Sequence, residues 1–453
     1  MNIIIVGCGK IGVSIAKQLR EENHDIVVVD KNQDKIDEAT SSFDIMGIVG
    51  NGTDYNILEE AGVDTANLLI AVTGSDELNL LCCVLAMQND NCHTIARVRE
   101  PLYSRQYDLL KKRLGISMLI NPELASADEM AKILRYPTAI KVETFAKGKV
   151  ELLNFKVTED QVIDNMQIMD IHNILKCNIM VCAIERGNEI IIASGTTIIR
   201  RGDIVYFLAS GKDTTRFFKK IGIKSKHVKN VLVAGGGKIA FYLSKKLVES
   251  GSINVHIMEK DRERCEFLST YLPQAVIVNG DASDFDQLLG EGIQNADGFV
   301  ALTNIDEENV FLALLAKKHS NAKVISKVNR LTIENMAEDL DAGSIISPTY
   351  TAANYIIKHV RAMNNTLNSN VETLYKIIDG NAEALEFNIR DDSEVVGVPI
   401  KSLKLKPQLL ICMISRGNEN FIPFGDSVIE EGDSVIVVTT QKGLDCIDDI
   451  IDR

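Results

Sequence analysis

The chain has 453 residues, 45% hydrophobic and 25% charged, with a formal net charge of −14. That length suggests about three globular domains at ~150 residues each, and the acidic surplus argues against a nucleic-acid partner, since phosphate backbones are met with excess Lys and Arg. No uninterrupted apolar run approaches the ~20 residues a membrane-spanning helix needs, so work at a membrane requires a partner.

The chain opens NIIIVGCGKIGVSIAKQL, Asn2 to Leu19. Its apolar run is too short for a signal peptide and leads straight into a glycine turn. Short, mostly apolar runs follow at Asp25–Asp30, Asp44–Val49, Asn67–Val72, Thr94–Val98 and Ser117–Ile120. Such runs suit parallel strands buried on both faces. Between them lie helical patterns, as at Ile11–Leu19, where Ile11, Ile15, Ala16 and Leu19 form one stripe. Alternation of this kind predicts a doubly wound α/β lobe.

A helix is expected around Pro122–Leu134. Beyond it, Val150–Val157, Met180–Glu185, Glu189–Ala193 and Asp203–Leu208 look like strands joined by tight turns at Arg186-Gly187-Asn188 and Arg201-Gly202-Asp203, with one helix near Asn165–Leu175. This part reads as a small α+β lobe.

Then the pattern repeats. NVLVAGGGKIAFYLSKKL begins at Asn230, T-x-x-D-E-x-N occurs at Thr73 and Thr303, and RGN followed by a Gly-Asp turn occurs from Arg186 (RGN…RGD) and Arg416 (RGN…EGD). Thr73 to Thr303 and Gly187 to Gly417 are both separated by 230 residues (303 − 73 and 417 − 187). The chain is a duplication, and each half has two parts. The expected division is 1–121, Rossmann-like; 122–140, crossover helix; 141–224, small lobe; 228–347, Rossmann-like; 348–369, crossover helix; 370–453, small lobe.

Gly7-Cys8-Gly9-Lys10-Ile11-Gly12 is GxGxxG between a strand and a helix. The first Gly allows the tight turn, the second lets a pyrophosphate approach the backbone, and the third lets helix and strand pack. Free amides at the helix N-terminus favour phosphate. Asp30 closes the second strand where a carboxylate takes ribose hydroxyls, which favours NAD or an adenine nucleotide over NADP. In the second copy Ala240 replaces the third Gly, Glu259 stands for Asp30, Lys327 for Arg97 and Asn329 for Arg99. Asn51, Gly52, Thr73 and Gly74 are expected beyond the strand ends. Thr73 and Ser75 either cap the helix starting near Asp76 or also touch a ligand. Lys10 is either solvated or pairs with a terminal phosphate.

The nine cysteines show no CxxC or zinc spacing and read as reduced, mostly buried thiols of a cytosolic protein. The acidic pairs Glu159-Asp160, Asp391-Asp392 and Glu430-Glu431 read as solvated surface, and no metal site is expected. His172 in the first small lobe has no counterpart in the second, so no acid/base residue is repeated beside the turns.

The doubled order of GxGxxG with Asp30, NGTDYNILEEAGV, T-x-x-D-E-x-N and RGNEIII…RGD resembles the TrkA family, regulatory subunits of bacterial Trk potassium-uptake systems built from RCK (KTN) domains. The resemblance covers the whole chain in the order RCK-N, RCK-C, RCK-N, RCK-C. It implies two Rossmann-like doubly wound parallel-sheet lobes, each followed by a small α+β RCK-C lobe. It implies no catalysis, but a homo-oligomeric ring, generally a tetramer, in the cytoplasm on the inner face of the membrane. The ring would dock on a potassium-transporter subunit of the TrkH/TrkG type and respond to NAD(H), ATP or ADP. Carried over by position, its ligand contacts are Gly7, Cys8, Gly9, Lys10, Ile11, Gly12, Asp30, Asn51, Thr73, Gly74 and Arg97. In the second copy they are Gly235, Gly236, Gly237, Lys238, Ile239, Ala240, Glu259 and Thr303. Two other readings stay open: an NAD-dependent oxidoreductase, and a nucleotide-binding scaffold without a transporter.

Overall fold

Asn2–Val6 buries four of its five residues, as a strand covered on both faces must. It pairs in parallel with Asp25–Asp30 on one side (Ile3 opposite Ile26) and with Leu68–Ala71 on the other (Ile3 opposite Leu68). The full sheet has six strands in the order Met46–Val49, Asp25–Asp30, Asn2–Val6, Leu68–Ala71, His93–Arg97, Met118–Ile120. The order reverses beside Asn2–Val6, and a crevice opens there beyond the carboxyl ends of the strands. A second sheet repeats the topology: Val276–Asn279, Asn254–Glu259, Asn230–Ala234, Gly298–Ala301, Lys323–Lys327, Ser344–Ile346.

The computed structural model describes residues 1–453 apart from 101–102, 104–105, 137–141, 147–148, 159–160, 188, 224–227, 250, 252, 365–370, 379–380, 391, 418, 445 and 453, and the side chains of 108, 331, 334, 335, 338, 362, 364 and 376. Glu159, Asp160, Asn188, Asp391 and the expected ends of both crossover helices lie outside the described residues.

Two units emerge. The first contains 1–131 and 229–359, hence both Rossmann-like lobes. The second contains 132–228 and 360–453, hence both small lobes. Two of the three divisions fall inside the helices Pro122–Arg135 and Pro348–Asn364, and the third falls just before the strand Asn230–Ala234.

In the second unit each small lobe carries a five-stranded antiparallel sheet. The RGN…GD pattern has a structural cause. Arg186 donates from Nε and Nη2 to the two oxygens of Asp203, at 2.9 and 2.8 Å, and Asp203 is 1% exposed. Arg416 grips Asp433 with the same two distances. Each carboxylate also accepts a turn amide, from Arg200 at 2.8 Å or Glu430 at 2.9 Å. The two sheets share one apolar core, in which Phe145, Val150 and Cys182 meet Ile377, Ala384 and Cys412.

Two elements escape the sequence reading. Val142–Phe145 is a strand too short to show alternation, and it pairs with Val150–Lys156. Gly211–Lys220 is a helix that starts on a glycine, and its buried face is only Thr214, Phe217 and Phe218. The duplication also breaks. Where the first small lobe has the helix Ile168–Leu175, the second has only a 3-10 turn at Ile400–Ser402.

Candidate nucleotide-binding site

The first glycine turn is built by sterics. Gly7 has φ +109°, and a Cβ there would sit 3.0 Å from the Thr73 amide nitrogen. A Cβ on Gly12 would fall 1.9 Å from the Gly7 carbonyl oxygen. Gly9 differs: its φ of −79° suits any residue, and a Cβ there would meet nothing within 4 Å. The fold itself makes no demand for glycine at 9. Gly9 is the N-cap of Lys10–Glu21 and brings no side chain to its amides, and no acid stands in the first turn. The positive end of that helix is therefore left for an outside anion.

Asp30 spans the turn. Its Oδ2 accepts the Cys8 amide at 2.7 Å and its Oδ1 accepts the Asn32 amide at 3.0 Å. Beside them lies a cavity of about 550 Å³, within the usual range for small-molecule sites. Gly7, Gly9, Lys10, Ile11, Asp30, Asn51, Thr73, Gly74 and Arg97 line it. Cys8 and Gly12 do not; Cys8 is 5% exposed and Gly12 is buried against Gly7. Burial and then Asp30 push the Cys8 thiol up to about 12, which leaves it unreactive.

Sequence reasoning misses Lys31, Lys35 and Thr349 on the same wall. The lysines follow Asp30 as D-K-x-x-x-K, and the second copy has basic residues at the matching Lys260 and Arg264, a signal the repeat carries. Thr349 comes from the start of the helix Pro348–Asn364, after the second Rossmann-like lobe, and has no local signal. The lining holds Lys10, Lys31, Lys35 and Arg97 against Asp30 alone, four cations to one carboxylate, in a chain of net charge −14. Such a crevice concentrates anions.

Arg97 donates to the Thr73 carbonyl, while its Nε is buried without a partner. Burial, then Arg99, lowers its guanidinium's proton affinity, with Glu123 and Asp76 opposing. Arg97 remains charged at neutral pH. Thr73 and Asn79 form a frame. Asn79, fully buried, accepts the Thr73 amide at 2.8 Å and the Thr73 hydroxyl at 2.7 Å, and donates to the Arg97 carbonyl at 2.9 Å. Asp76 accepts the amides of Arg99 and Glu100, both at 2.8 Å. T-x-x-D-E-x-N thus ties two adjacent strand ends together at the crevice floor. Ser75 is the N-cap of Asp76–Ala86, accepting the Leu78 amide at 3.2 Å.

The second turn keeps much of this plan. Gly235 has φ +98°, and Gly237, like Gly9, has open space at its Cβ. Glu259 Oε2 accepts the Gly236 amide at 2.6 Å and its Oε1 the Asp261 amide at 2.8 Å, so the longer acid fills the role of Asp30. Asn309 accepts the Thr303 amide at 2.8 Å and donates to the Lys327 carbonyl at 3.0 Å. Ile239 and Ala240 are 7% and 0% exposed. Lys238 is in an ion pair with Glu100 at 3.1 Å.

Comparison with known proteins decides the family. The TrkA-N domain profile matches residues 3–122 and 231–348, and the TrkA-C domain profile matches 152–222 and 384–452. The chain belongs to the TrkA family. Trk system potassium uptake protein TrkA homolog 1 of Methanosarcina mazei is 33% identical, over 96% of this chain and 97% of its own. The TrkA homolog of Archaeoglobus fulgidus is also 33% identical, over 99% and 100%. TrkA of Vibrio alginolyticus is 32% identical, over 98% and 96%. Among solved structures, the GsuK RCK domain superposes with a TM-score of 0.63 at 18% identity, covering 97% of this chain and 92% of that one. The GsuK channel bound to NAD gives the same score and identity, over 97% and 77%. These likenesses establish the fold of two Rossmann-like lobes and two small lobes, and no helix among the described residues is long and apolar enough to cross a membrane.

Proposed function

We propose that this chain is a nucleotide-sensing regulatory subunit that docks on a membrane potassium transporter of the TrkH/TrkG type and gates potassium uptake. It works as a homo-oligomeric ring, a tetramer, at the cytoplasmic face of the membrane, with its segments divided at 121, 140, 224, 228, 347 and 369. NAD(H), ATP or ADP binds the first crevice. The carrying observation is the basic cavity over a turn whose Gly9 has no steric reason to be glycine. Gly9 leaves backbone amides open to pyrophosphate, Lys10 and Arg97 meet its charge, and Asp30 takes ribose hydroxyls. The names of the relatives and the NAD-bound GsuK channel point the same way.

A ligand shifts an equilibrium between two ring shapes only by its differential affinity for them. Coupling of ~1–3 kcal/mol per site, added over several sites, is enough to gate a channel. Potassium flux into vesicles holding the transporter, with this protein and each nucleotide in turn, tests the reading. A nucleotide-dependent flux lost in Asp30→Ala supports it, and a flux indifferent to every nucleotide removes it. NADH absorbance followed with candidate substrates separates the oxidoreductase reading, which requires turnover.

A further inference from the structure

The second glycine turn already has an anion on it, supplied by the first lobe. Glu100 Oε2 lies 3.1 Å from Lys238 Nζ, the lysine inside Gly235-Gly236-Gly237-Lys238. In the first turn the matching Lys10 is exposed on the cavity wall. Packing holds Glu100 there. Asp76 fixes its backbone amide at 2.8 Å. Asn121 Nδ2 donates to the Tyr242 hydroxyl at 3.1 Å, which pins the same face of the first lobe to the second glycine-turn helix, Lys238–Glu249. Ile239, Ala240, Phe241 and Tyr242 are all buried in that helix, whereas only Gly12 is buried among Ile11, Gly12, Val13 and Ser14.

The duplication should place an equivalent of Glu100 at position 330, and there the residue is Arg. Arg330 turns to Asp306 and Glu307 of its own lobe. At the start of the crossover helices the neutral Thr349 lines the first crevice, while its counterpart Glu123 carries a carboxyl. Burial pushes that carboxyl up, and its own backbone amide, Arg99, Arg97 and Lys238 pull it the other way. The first turn therefore offers an incoming phosphate an exposed lysine, Lys10, whereas the matching lysine of the second turn is already paired with Glu100.

We infer that Glu100 stands in the second turn where a nucleotide phosphate would lie, so that the first lobe keeps the second turn closed to nucleotide. The inference rests on reading glycine turns of this chain as nucleotide sites, and its test reads the second turn with the first silenced by Gly9→Ala. ADP is the probe, titrated by calorimetry into four proteins: wild type, Gly9→Ala, Gly9→Ala with Glu100→Gln, and Gly9→Ala with Glu100→Ala. Glu100 is half exposed, and thermal melts establish that each variant folds. Wild type should bind one ADP per chain and Gly9→Ala none. The two double variants should regain one ADP per chain, lost again on adding Gly237→Ala. If Gly9→Ala keeps a site that Gly237→Ala abolishes, the second turn is open in the native chain and the inference is overturned. Double variants that bind no ADP overturn it equally. Wild type that binds no ADP while the double variants do would remove ADP as the ligand of the first crevice and would support this inference.

Discussion

Asp30 Oδ2 accepts the Cys8 amide at 2.7 Å, so the carboxylate expected to meet ribose also holds the glycine turn from below. Removing it has two consequences. Asp30→Ala should weaken nucleotide binding at least tenfold, a charge-assisted hydrogen bond being worth about 1.5–3 kcal/mol. It should also lower stability by about 1–2 kcal/mol through the lost turn bonds. Glu259 fills the same role in the second turn, so Asp30→Glu should restore most of the stability. Calorimetric binding and urea unfolding of both variants check this. Full stability in Asp30→Ala would mean that the turn does not depend on the carboxylate.

Gly9 and Gly12 separate ligand from fold. Gly9→Ala meets open space and should leave the melting temperature unchanged while abolishing nucleotide binding. Gly12→Ala drives a methyl group to 1.9 Å from the Gly7 carbonyl and should lower the melting temperature by several degrees. Equal melting temperatures for the two variants would contradict the steric account.

Asn79→Ala should be costly although Asn79 touches no ligand. It strands the Thr73 amide and the Arg97 carbonyl, at about 1–3 kcal/mol for each group left unsatisfied. Unfolding free energy should fall by about 3 kcal/mol, and Asn309→Ala should behave alike through Thr303 and Lys327. A loss below about 1 kcal/mol would show that water replaces the side chain.

Lys323 gives a pH signature. Burial, with Lys317 adding to it, holds its ammonium down at about 8, against about 10.4 in an unfolded chain. Between those values the unfolded chain binds a proton that the native chain lacks, so this group's contribution to stability rises with pH across the interval. Lys323→Met should be more stable than wild type at pH 7, and the gap should close as pH approaches about 10.4. Melting temperatures of the pair across that range decide it; a constant gap would place the ammonium in contact with water.

Local pattern determined a great deal. Continuous apolar runs made the strands, since a strand covered on both faces has no polar side. GxGxxG between strand and helix made the turn, because Gly7 and Gly12 have no steric alternative. The 230-residue repeat made the two-part halves legible, and Arg186 with Asp203 recurs as Arg416 with Asp433 because each pair closes the same turn. Tertiary structure alone decided which parts join: the two Rossmann-like lobes form one unit and the two small lobes another, although chain order alternates them. That pairing depends on side chains meeting across hundreds of residues, such as Asn121 with Tyr242, and Cys182 beside Cys412 in one core, for which local periodicity carries no information. It also decided the fate of the two turns, which look nearly alike as sequence. One faces Lys31, Lys35 and Thr349 across an open cavity, and the other faces Glu100.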